Sequence, residues 1–123
     1  MSNSPGGFDP VGVVVDWIDA CREQNLPALL DLYDDSAVVD CCEGGRFRGR
    51  TEVEQYWQSK LFGSVPGAFE IDVLMTEVEG VLLDYRSYDG RAVRTRFRFT
   101  AAGKILRTAC APIQNDGSRS LAA

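Results

Sequence analysis

Apolar residues recur at a spacing of three to four in the first half of the chain and at a spacing of two in the second. Val14, Trp17 and Cys21, flanked by Val13 and Ala20, predict one helical stripe. Asp9-Pro10 opens that helix, because aspartate can accept an end amide and proline has none to orphan; it is predicted to run to about Gln24. Leu26, Leu29, Leu30 and Tyr33 predict a second, short helix that Asp34-Asp35-Ser36 ends. Ala37 to Cys42 is apolar and β-branched enough for a strand, and Glu43-Gly44-Gly45 has turn chemistry. Thr51-Glu52-Val53-Glu54 reads as a capping box for a third helix with Val53, Tyr56, Trp57 and Leu61 on one side.

Beyond Pro66-Gly67 the period becomes two. Phe69, Ile71, Val73 and Met75 alternate with Glu70, Asp72, Leu74 and Thr76, and three more strands are predicted over 81–88, 91–100 and 104–111. Asp89-Gly90 marks a hairpin whose loop length decides which residues face inward. A two-residue turn puts Asp84 and Arg86 on the face of Thr95 and Phe97. A three-residue loop puts Leu83 and Tyr85 there and sets Asp84 against Arg94 outside; it buries the apolar set and pairs opposite charges, and is preferred. Three helices, one early strand and a four-strand meander predict an α+β domain, a cone-shaped curved mixed or antiparallel sheet wrapped around the helices. A single domain is expected over 1–123, with a loose N-terminus at 1–8 and a polar tail at 113–123.

Composition narrows the chemistry. The 123 residues carry a net charge of −5, which argues against nucleic acid, although seven of the thirteen basic residues lie between Arg86 and Arg107. No apolar run reaches the roughly 20 residues of a membrane span, and the N-terminus lacks signal-peptide character, so a cytoplasmic location is expected. There is no histidine. Histidine-based triads and metal sites are therefore excluded, and neither a metal nor a cofactor is expected. The four cysteines (Cys21, Cys41, Cys42, Cys110) show no CxxC spacing and are expected to be free thiols, mostly small apolar core fillers.

Four segments carry a resemblance: Leu32-Tyr33-Asp34-Asp35-Ser36-Ala37-Val38-Val39-Asp40, Phe47-Arg48-Gly49, Val53-Glu54-Gln55-Tyr56-Trp57 and Phe97-Arg98-Phe99-Thr100-Ala101-Ala102-Gly103-Lys104-Ile105. In this order they resemble the nuclear transport factor 2-like superfamily, the cone fold of ketosteroid isomerases and SnoaL-type polyketide cyclases. The resemblance implies the fold and not one function, since this cone hosts isomerases, cyclases, hydrolases and binding modules. Against the isomerase pattern the proton-shuttling carboxylate falls on Cys41, the phenolic donor on Trp17 and the acidic donor on Thr95. All three identities differ, and that mechanism is rejected.

The resemblance further implies a mostly apolar pocket lined by Trp17, Cys21, Cys41, Tyr56, Tyr85, Thr95, Phe97 and Cys110, holding a small apolar or weakly polar cyclic ligand, polyketide- or steroid-like. Were there a reaction, a cofactor-independent isomerisation, cyclisation or hydrolysis through Asp40 or Asp84 is the candidate. Asp40 requires a bulge at Cys41-Cys42 to turn inward. Asp84 with Arg86 would resemble the epoxide hydrolases of this fold. A homodimer through the outer sheet face, with its row Arg94, Arg96 and Arg98, is expected, and the alternative function is a non-catalytic dimeric protein-interaction module whose sheet surface recognises a protein partner.

Overall fold

The computed structural model describes residues 8–113. Helices α1 (Pro10–Arg22) and α2 (Leu26–Asp31) precede strands β1 (Tyr33–Asp40) and β2 (Arg46–Arg48); helix α3 (Gly49–Phe62) follows. Strands β3 (Ile71–Glu77), β4 (Gly80–Arg86), β5 (Ala92–Phe99) and β6 (Ile105–Pro112) complete the described elements. The six strands form one sheet in the order β2-β1-β6-β5-β4-β3. All neighbours are antiparallel except β1 and β6, so the sheet is mixed. Its inner face buries Leu83, Tyr85, Val93, Phe97 and Ile105 against Val14, Trp17 and Ile18 of α1 and Val53, Trp57 and Leu61 of α3.

The hairpin between β4 and β5 has the three-residue loop. Ser87 N donates to Arg91 O at 2.8 Å, and Gly90, at φ +88°, supplies the left-handed position that a side chain would resist. Tyr85 consequently pairs with Val93 and Leu83 with Thr95 on the inner face, while Asp84 pairs with Arg94 on the outer.

Local differences from the sequence reading have identifiable causes. Tyr33 starts β1 rather than ending α2: Ile105 N donates to Leu32 O at 2.8 Å, and this parallel pairing captures the residue for the sheet. Asp34-Asp35-Ser36 forms an irregularity within the strand, where Asp34 Oδ2 accepts from Ser36 N at 3.0 Å and Ser36 Oγ at 2.6 Å. Helix α3 begins at Gly49, before the anticipated Thr51 cap, with Glu52 Oε1 accepting from Arg48 N at 2.7 Å. A register shift between Ile71 and Val73 leaves Val73 and Met75 exposed, on the face opposite Leu74. The expected polar tail starts later than 113, since Ile113 N still donates to Ala92 O at 3.1 Å; its remaining residues lie outside the described ones, as do 1–7 of the N-terminus.

Candidate functional site

A little over one turn of α3 builds one wall of a cavity. Tyr56, Trp57 and Lys60 are spaced so that they share a helix face, and all three line a hollow of about 80 Å³ at the end of the cone. Phe69, Tyr85 and Val93 form the sheet side. Phe69 reaches its place with a left-handed backbone, φ +63°, held by Arg22 Nε donating to its carbonyl at 3.0 Å. The third side is a disulfide between Cys42 and Cys110, whose Cα atoms lie 4.6 Å apart. This corrects the expectation of four free thiols. The two residues are 68 apart in sequence, and only the β1–β6 pairing, with Asp40 beside Ala109, brings them together.

Behind the cavity lies a polar knot. Tyr33 OH accepts both indole N–H groups, from Trp17 and Trp57, each at 3.1 Å, and also meets Thr108. Burial pushes the Tyr33 phenol up to about 12, with the indole hydrogen bonds opposing in part. Trp17 packs edge-on to Trp57, Tyr85 and Phe97 at 5.0–5.5 Å between ring centres.

Of the residues expected in the pocket, Cys41, Tyr56, Tyr85 and Cys110 line the cavity. Trp17, Cys21, Thr95 and Phe97 lie in the core behind it, as their burial and partners require. Thr95 Oγ1 donates to Tyr85 OH at 3.3 Å, and Cys21 is fully buried, which raises its thiol pKa well above the ordinary value. Burial likewise raises the phenols of Tyr56, aided by Cys41, and of Tyr85, so both stay protonated as potential donors.

Neither candidate carboxylate faces the cavity. Strand alternation turns Asp40 outward from buried Val39, and no bulge reverses it. Asp40 is held by Arg46 Nε at 2.7 Å and Arg107 Nε at 2.9 Å. Partial burial works against its ionisation, but the two guanidinium groups outweigh that and hold its carboxyl below the usual range. Asp84 makes a two-pronged pair with Arg94, at 2.7 and 3.0 Å. Arg86 donates to Gly90 O at 3.2 Å, away from Asp84, so the Asp/Arg arrangement of a water-positioning site is not assembled.

Trp57, Lys60, Phe69, Cys42 and the mouth residues Glu43, Tyr88 and Asp89 were not anticipated as site residues. The helical spacing of Tyr56 and Lys60 was the one available signal, and a lysine near a helix end ordinarily reads as solvated. Among the described residues no group of three or more Cys, Asp or Glu side chains is placed to hold a metal ion. No helix there is long and apolar enough to cross a membrane.

Comparison with known proteins gives a class. The family model of the SnoaL-like domain matches residues 14–108. The chain belongs to the SnoaL-like family, within the nuclear transport factor 2-like fold. A SnoaL-like protein of unknown function from Burkholderia thailandensis is similar at 24% identity and TM-score 0.75, over 85% of this chain and 94% of that one. A proposed polyketide cyclase from Sinorhizobium meliloti is 18% identical at TM-score 0.70, over 84% of this chain and 99% of that one. A steroid delta-isomerase from Pseudomonas aeruginosa is 16% identical at TM-score 0.69, over 89% of this chain and 82% of that one. No curated protein matches the chain.

Proposed function

We propose that the protein binds a small cyclic molecule whose ring sits between α3 and the inner face of β4 and β5. The observation that carries this reading is the cavity itself, about 80 Å³, with walls of Tyr56, Trp57, Phe69, Tyr85 and Val93. Aromatic walls with few polar groups favour ring stacking over hydrogen bonding. Size limits the ligand. Drug-sized molecules need roughly 300–1,000 Å³, and an apolar cavity of about 150 Å³ accommodates benzene. The cavity is about half that volume but open at its mouth, so it takes one ring only in part, the remainder lying at the mouth, and a steroid or fused polyketide exceeds it unless the walls move. The names of two structural neighbours are consistent with ring compounds, through the fold alone.

Binding without turnover is preferred, because Asp40 and Asp84 are both engaged by arginines on the outer face. The test is a thermal-shift panel of single-ring and fused-ring compounds on the wild type and on Val93→Leu, which grows one wall inward. Stabilisation by single rings, reduced in the variant, is expected. Stabilisation by fused rings alone, or shifts indifferent to Val93→Leu, would contradict the reading. A second reading, a homodimer through the outer sheet face, draws support from the exposure of Val73 and Met75 there. Light scattering that gives a monomer mass, or a dimer mass unchanged by Met75→Lys, would remove it.

A further inference from the structure

The mouth of the cavity has more donors to offer than acceptors. Lys60 Nζ lies 4.2 Å from the centre of the Tyr88 ring and 5.1 Å from that of Tyr56, and donates to Glu43 Oε1 at 3.3 Å. Its side chain is 14% exposed, against 50% for Glu43. An ammonium has three N–H donors, and Glu43 Oε1 takes one. The acceptors beside it are more fully engaged. Glu43 Oε2 accepts from Tyr88 OH at 3.3 Å. Asp89 Oδ1 accepts from Ser87 Oγ at 2.5 Å and from Arg91 N at 3.2 Å, while Oδ2 meets Arg91 Nε at 3.1 Å.

We propose that the ligand is a single-ring carboxylic acid, its ring in the cavity and its carboxylate received by Lys60. This rests on the reading of the cavity as a ring site and adds the charged end. Three features favour an anion over a cation. Lys60 has donors to spare, whereas a cationic ligand would have to compete with Lys60, Arg91 and two hydroxyls for Glu43 and Asp89. Burial disfavours the charged lysine, but Glu43 and its other neighbours prevail and keep it protonated above its ordinary range. Finally, Glu43 precedes Gly44 and Gly45, at φ +90° and +98°, and half its side chain is already in water, so an incoming carboxylate can displace it at small cost. Lys60 stays in place on α3, because its ammonium rests against two rings, Tyr56 of the same helix and Tyr88 of the β4–β5 loop.

The probes are benzoate, benzyl alcohol and benzylamine, titrated calorimetrically into the full chain at neutral pH. Benzoate is expected to bind about tenfold or more tightly than benzyl alcohol, the scale of one charge-assisted hydrogen bond. Lys60→Met should erase that difference. Equal affinities, or benzylamine as the tightest ligand, overturn the carboxylate assignment and leave the ring site standing. Failure of all three to bind overturns both. Should Lys60→Met not fold, Glu43→Gln decides: it removes the resident competitor, so benzoate should bind severalfold tighter, and unchanged or weaker binding refutes the proposal.

Discussion

Replacing Tyr33 by Phe removes one oxygen from the best-connected buried polar group in the core. The ring keeps its volume, so no large cavity opens, but the indole N–H groups of Trp17 and Trp57 both lose their acceptor. Tyr33 is 4% exposed and the two tryptophans 1% and 4%, so bulk water cannot replace it. Each orphaned buried donor costs roughly 1–3 kcal/mol, and the pair therefore about 2–6 kcal/mol. That is a large share of the roughly 5–15 kcal/mol that holds a domain of this kind together. Urea unfolding followed by tryptophan fluorescence measures the loss directly, as a lower midpoint at constant slope. A cycle with Trp57→Phe isolates the Tyr33–Trp57 contact and should return a coupling of about 0.5–3 kcal/mol. A cost below about 0.5 kcal/mol for Tyr33→Phe would refute the description of this knot as a buried, mutually satisfied triad.

Other expectations concern pH, ion pairs and sulfur. Because the Tyr33 phenol titrates near 12 when folded and near 10 when unfolded, its contribution is complete below about pH 10 and is lost between about pH 10 and 12; Tyr33→Phe should flatten that part of the alkaline stability profile. Asp40 has the opposite sign: with its folded pKa lowered, its contribution is present above about pH 4 and fades on acidification, and Asp40→Asn should remove that fraction of the acid sensitivity in the same unfolding assay. Asp84→Asn breaks a two-pronged pair whose arginine is 43% exposed, so a loss of about 1–2 kcal/mol is expected with ring binding unchanged, and altered binding would contradict its outward placement. Unfolded but unreduced protein should present two alkylatable thiols, Cys21 and Cys41, and reduced protein four; on the chain-entropy model Cys110→Ser costs up to about 4 kcal/mol.

The sequence made the helices and the meander legible because their apolar periods differ and because hairpin choice could be settled by burying Leu83 and Tyr85. Local signals failed where long-range pairing overruled them. Tyr33 carries a helical spacing with Leu29 and Leu30, yet its backbone is claimed by β6, more than 70 residues away. The same parallel pairing creates the Cys42–Cys110 contact, for which no spacing rule exists. Half of the expected pocket residues prove to be core because Trp17 and Phe97 fill the cone's interior with edge-on rings, and the ring-lined hollow lies at its end. Lys60 is not legible as a site residue because its ammonium is placed against Tyr56 and Tyr88, and Tyr88 comes from a hairpin loop.

The central claim is a ring-binding cavity at the end of the cone, and amide and indole NMR shifts during a titration with benzyl alcohol test it most directly. The account predicts shifts concentrated at Cys41, Cys42, Tyr56, Val93 and Cys110 and at the indole of Trp57, with Arg96 and Arg98 on the outer face unmoved. Shifts confined to the outer face, or none at concentrations up to solubility, would contradict it.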